Sequence, residues 1–127
     1  MRPVLIKGVG AISACGVGAE ALWQAAVTGQ SGVRPTKLPR MAKQRVKNAG
    51  LLTEDAEALL AGVGNPKVQD RVTQLALAAT QEALAQAGLS NTRLGPRCGV
   101  FLGTGFGGAE TLDLNYKRVA DINYDKC

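Results

Sequence analysis

The chain has 127 residues, 46% of them hydrophobic and 20% charged, with 16 glycines, 5 prolines and only 4% aromatic residues. This is one domain's worth of ordinary globular composition, which excludes collagen-like, coiled-coil and strongly disordered classes. Lys and Arg total 15 against 10 Asp and Glu, leaving +5, an excess too small and too scattered to indicate a nucleic-acid partner.

Met1-Arg2 and the small apolar stretch up to Ala21 imitate a signal peptide, but Lys7 interrupts the run and Gly8, Gly10, Gly16 and Gly18 make it a poor hydrophobic helix. No apolar run approaches the roughly 18 residues that a spanning helix needs, so a soluble, cytoplasmic chain with no membrane partner is expected. Val4-Leu5-Ile6, closed by Gly8 and Gly10, predicts a buried strand ending in a glycine turn. Glu20 to Thr28 predicts a helix with Ala21, Leu22, Ala25 and Ala26 on one face, Trp23 at its edge as a packing residue, and Gly29 as terminator. Gln30 to Gly50 carries Pro35 and Pro39 with Arg34, Lys37, Arg40, Lys43, Arg45 and Lys47, an irregular, solvated surface excursion. Thr53 should cap a short helix running through Ala61.

Asn65-Pro66 pairs an N-cap residue with proline at the first helical position, and Gly88 supplies a stop. Between them Val68, Val72, Leu75, Ala76, Ala79, Ala83 and Ala87 recur at three- and four-residue steps, a narrow stripe of small residues for a tightly apposed neighbour. Cys98 to Leu102 predicts a second buried strand, followed by the glycine-rich turn Gly103 to Gly108 and a helix through about Arg118.

Two glycine-rich turns after strands invite a phosphate or dinucleotide reading, because glycine lets backbone N–H groups approach an anion. The pattern fails in detail: Gly8-Val9-Gly10-Ala11-Ile12-Ser13 lacks the third glycine, no acidic residue follows at the ribose-binding distance, and neither turn contains Gly-Lys-Ser/Thr. The alternative is that the glycines serve tight turns and close packing. Cys15, Cys98 and Cys127 are an odd set without a CxxC pair, and there is no histidine. Neither a disulfide framework, a metal centre nor a Cys-His or Ser-His pair within this chain is expected.

Four segments in order resemble the N-terminal part of β-ketoacyl-acyl carrier protein synthases. They are Val4 to Ser13 with Gly16; Trp23 followed by Gly29 to Val33; Asp70-Arg71 leading to Ala78-Ala79, Glu82 to Leu84 and Ala87 to Leu89; and Gly99-Val100, Gly103 to Gly108, Thr111 and Asn115-Tyr116. Lys7 stands where the family usually has threonine. The resemblance implies an α/β chain, residues 1–127 being an incomplete first part of a thiolase-like fold of layered helices and strands, with no cofactor. It further implies condensation of acyl and malonyl thioesters by a cysteine nucleophile and two histidines. None of these catalytic residues carries over. Cys15 and Cys98 are expected to be structural, Cys127 follows Asp125-Lys126 with no helix after it, and the tail from Val119 leaves the family pattern, as a natural truncation, a frameshifted end or an expression fragment would. Phe106 does carry over, to a position lining the acyl tunnel, its alternative being a core aromatic. The expected partners are an acyl carrier protein and either a second copy or a full-length synthase. A different class of function is a non-catalytic interaction module that presents the Arg34 to Lys47 stretch to an acidic carrier protein.

Overall fold

The computed structural model describes residues 3–36, 43, 45–65 and 69–121. Helices and short strands are mixed, in keeping with the α/β expectation. A first hairpin pairs β1 (Ile12–Ser13) with β2 (Gly16–Val17) antiparallel, Ile12 facing Val17 and Ser13 facing Gly16. Gly16 and Gly18 have φ of 137° and 92°, conformations a side chain would oppose. Helix α1 (Ala19–Thr28) follows and ends as expected at Gly29, which is left-handed and returns its amide to the last carbonyls. Its only buried residue is Ala25; Trp23 is 63% exposed and does not serve the packing role expected of it.

The two ends of the basic excursion pair with each other, where its composition predicts irregular chain. β3 (Val33–Pro35) pairs antiparallel with β4 (Asn48–Gly50). Pro35 sits at the end of its strand, where a missing N–H is tolerated. Helix α2 (Glu54–Ala61) begins after Thr53 and concentrates Glu54, Asp55 and Glu57 in its first turn, where acidic groups favour the helix dipole. Thr53 stands at the N-cap in an extended conformation, without a side-chain capping bond.

Helix α3 (Arg71–Gln86) starts later than Asn65-Pro66 predicts, with Asp70 as its N-cap. Asn65 and Gln69 instead bond to each other, the Gln69 amide donating to the Asn65 carbonyl at 3.1 Å and the Asn65 amide to Gln69 Oε1 at 2.8 Å. Val68, the first member of the expected stripe, lies outside the described residues. The remaining members are half-buried, while the buried positions of α3 are Gln74 and Ala78. Ala78 joins Leu60 and Val63 in a small core, with Ile12, Leu52, Leu75 and Leu77 packed around it.

The two expected buried strands are the main departure. Residues 3–11 and 98–104 form no strand among the described residues, and the apolar part of each is exposed, Val4 at 97% and Phe101 at 97%. A strand buried on both faces takes its ladder and its cover from elements distant in sequence, and none of the described elements supplies either here. Helix α4 (Ala109–Asp121) closes the described region, running past the expected Arg118.

Candidate functional site

One edge of α3 organises the first glycine turn. A Cβ built on Gly8 would stand 2.1 Å from the Ala83 carbonyl oxygen, and one on Gly10 would stand 2.0 Å from that of Ala79. The chain therefore lies directly on the helix backbone, where only glycine fits. Beside this contact, Val9 N–H donates to Gln86 Oε1 at 2.7 Å, while Ala11 and Ala19 N–H donate to the two oxygens of Glu82 at 2.8 Å each. Ala19 opens α1, so the Glu82 carboxylate satisfies an end-of-helix amide and complements the helix dipole from a neighbouring element. These contacts account for the first turn as a packing device. Its Val9 and Ala11 amides face a side-chain amide and a carboxylate, which leaves them unavailable to a phosphate.

Glu82 falls within the third family-like block, whose motif by itself gives the residue no such task. The available signal was spacing: Ala79, Glu82, Ala83 and Gln86 follow i, i+3, i+4 and i+7 steps, so two polar side chains share the face on which the small residues lie.

The second glycine-rich turn meets the other end of α3. A cleft of about 410 Å³ lies between the first turns of α3 and α4, with Phe106, Val72, Leu75, Asp70 and Thr104 among its walls. Phe106 is 76% exposed, so core packing does not hold its ring here. Thr111 Oγ1 donates to Asp70 Oδ1, tying α4 to the start of α3. Arg71, also at the cleft, is engaged by Glu57 of α2: Nη1 donates to Oε2 at 3.0 Å, and Nη2 to Oε1. The walls thus combine apolar side chains with the Asp70 and Glu110 carboxylates and a guanidinium already paired to Glu57.

The cysteines stand apart from this cleft. Cys15 is half-buried in the β1–β2 turn, its amide donating to Ser13 Oγ at 3.2 Å, and Cys98 is exposed in the irregular segment before the second glycine-rich turn. Cys127 lies outside the described residues. No cluster of three or more potential metal-ligating His, Cys, Asp or Glu side chains occurs among the described residues. None of the described helices is long and apolar enough to cross a membrane.

Residues 1–124 match the family description "Beta-ketoacyl synthase, N-terminal domain". A Streptomyces halstedii protein whose name places it among the polyketide beta-ketoacyl synthases is 35% identical over 123 residues, covering 94% of this chain and 29% of its own length. The tetracenomycin polyketide synthase ketoacyl synthase alpha subunit of Streptomyces glaucescens is 33% identical over 121 residues, 94% of this chain and 28% of its own. The 3-oxoacyl-[acyl-carrier-protein] synthase 2 of Staphylococcus aureus strain COL is 32% identical over 123 residues, 94% and 29% respectively. No solved structure matches with comparable significance. The chain thus spans under a third of the length of these relatives. With a family match reaching from residue 1 to residue 124, this chain belongs to the beta-ketoacyl synthase family and corresponds to its N-terminal domain.

Proposed function

We propose that this chain is the N-terminal segment of a β-ketoacyl-acyl carrier protein synthase, acting in fatty-acid or polyketide synthesis and inactive in condensation by itself. The observation that carries the reading is the family match over residues 1–124, joined to a sequence without histidine. Condensation needs a nucleophile that accepts the acyl group and donors that stabilise the oxyanion formed after decarboxylation. Neither described cysteine is at a strand-to-helix elbow. The segment's contribution is architectural: it forms the first part of a thiolase-like layered fold, residues 1–127, and supplies Phe106 to the wall that receives the acyl chain.

Supplying acyl and malonyl carrier proteins to the purified chain tests the inactive state. No condensation product above blank is expected, and turnover by homogeneous protein overturns it. Phe106→Ala in a synthase carrying this segment together with the catalytic residues tests the pocket. Removing a ring from an acyl-facing wall should raise relative kcat/KM for longer primers by about tenfold for each newly accommodated methylene. Unchanged length preference in a folded variant rejects the pocket role.

A second reading rests on the β3–β4 hairpin, where Arg34, Arg45 and Lys47 are exposed. In that reading the chain is a non-catalytic module whose basic surface meets an acyl carrier protein, or which docks on a second copy or a full-length synthase. Arg34→Glu with Arg45→Glu should then weaken carrier-protein binding and flatten its salt dependence. Binding unaffected by both changes removes this reading.

A further inference from the structure

Asp70 occupies the N-cap of α3, yet its side chain makes no capping bond. The Thr73 and Gln74 amides instead return to its backbone carbonyl, at 2.9 and 3.1 Å. An N-cap carboxylate ordinarily accepts from the helix it starts. Here it points away from that task and accepts from Thr111 Oγ1 in α4.

The second glycine-rich turn lies beside this contact. A Cβ built on Gly108, whose φ is 77°, would stand 3.4 Å from Asp70 Oδ2. One on Gly107 would stand 3.1 Å from Val72 Cγ1 and 2.7 Å from Thr104 Oγ1. Gly108 also accepts the first backbone bond of α4, from the Leu112 amide at 2.9 Å. The peptide units directly after Phe106 are therefore seated against the first turn of α3, and the Asp70–Thr111 contact spans that seat.

We propose that Asp70 is a positioning residue: acting through Thr111, it holds the Gly103 to Gly108 turn on α3 and thereby sets where the Phe106 ring stands in the cleft. This inference rests on the reading of Phe106 as part of the acyl-chain wall, and it makes the Asp70–Thr111 pair a determinant of acyl-chain length. Thr111 is exposed and Asp70 half-buried, so water competes for both partners. The tether biases the turn rather than locking it.

The chain has two phenylalanines, Phe101 and Phe106, so labelling with 4-fluorophenylalanine gives two fluorine resonances, and Phe106→Leu identifies which is which. Thr111→Val removes the hydroxyl with little change of shape. It should move the Phe106 resonance toward its position in the denatured chain while leaving that of Phe101 in place. Asp70→Ala should produce the same displacement, and the double variant no more than either. Thr111→Ser and Asp70→Asn retain a donor and an acceptor and should keep the original resonance. Amide exchange at Leu112, whose N–H donates to the Gly108 carbonyl at 2.9 Å, should accelerate by up to about tenfold in the Val variant, with helical circular dichroism unchanged.

A Phe106 resonance unmoved by Thr111→Val, or moved equally by Thr111→Ser, overturns the tether. The primer-length series separates the two ideas. If Thr111→Val moves the resonance but Phe106→Ala leaves chain-length preference unchanged in a complete synthase, the reading of Phe106 as a wall fails. The length role falls with it, while the tether stands.

Discussion

Replacing Glu82 by alanine removes the acceptor shared by Ala11 and Ala19, two amides 2.8 Å from its oxygens. A hydrogen bond to a charged group contributes about 1.5–3 kcal/mol net, and a carboxylate at a helix N-terminus adds about 0.3–1 kcal/mol. The contacts are half-buried, so water can reach the released amides and the lower end of each range applies. Glu82→Ala should destabilise the seating of residues 8–19 by about 3 kcal/mol. Glu82→Gln, which keeps one acceptor oxygen and loses the charge, should cost about half as much. Amide exchange at Ala11 and Ala19 reads the effect directly, because local opening governs protection there. An acceleration of about a hundredfold is expected for the alanine variant. Exchange at these two amides unchanged within about threefold, in a variant that keeps its helical content, would refute the view that a side chain of α3 holds the loop.

Gly10→Ala places a methyl group 2.0 Å from the Ala79 carbonyl oxygen; it should cost about 1–3 kcal/mol by denaturant titration and lift the loop from α3. Glu57→Gln breaks the ion pair with Arg71, but the side chains are 49% and 47% exposed, so stability should change by less than about 1 kcal/mol. With both Val4 to Ile6 and Val100 to Leu102 exposed, the isolated chain should bind an apolar dye and sediment as a concentration-dependent associating species. A monodisperse monomer without dye binding contradicts that expectation.

Helices were legible where a local signal decides the outcome. Gly29 stops α1 because its left-handed conformation suits glycine, and Thr53 precedes three acidic residues that favour the start of α2. The start of α3 was harder because the segment holds two competent caps. Asn65 donates its amide to the Gln69 side chain, whereas Asp70 takes the extended conformation from which the helix proceeds. The β3–β4 pairing joins residues 15 or so positions apart across a basic stretch with few β-branched residues, so no local pattern announces it. Val4 to Ile6 and Cys98 to Leu102 carry the composition of buried strands, but composition does not provide a pairing partner. At the site, sequence spacing put Phe106 between glycines. The reach of Asp70 to Thr111 depends on where the start of α4 lies against the start of α3, which periodicity within either helix does not encode.

The small core makes these directional contacts consequential. Leu60, Val63 and Ala78 form its buried cluster, and burial of apolar side chains favours compactness without specifying orientation. Orientation comes from polar contacts along α3: Glu82 and Gln86 receive the first glycine segment, and Asp70 receives Thr111 beside the second. The glycines permit the backbones to approach, and the polar side chains determine where they settle. A change at Asp70 or Glu82 can therefore alter the placement of a glycine segment while leaving the apolar composition of the core intact.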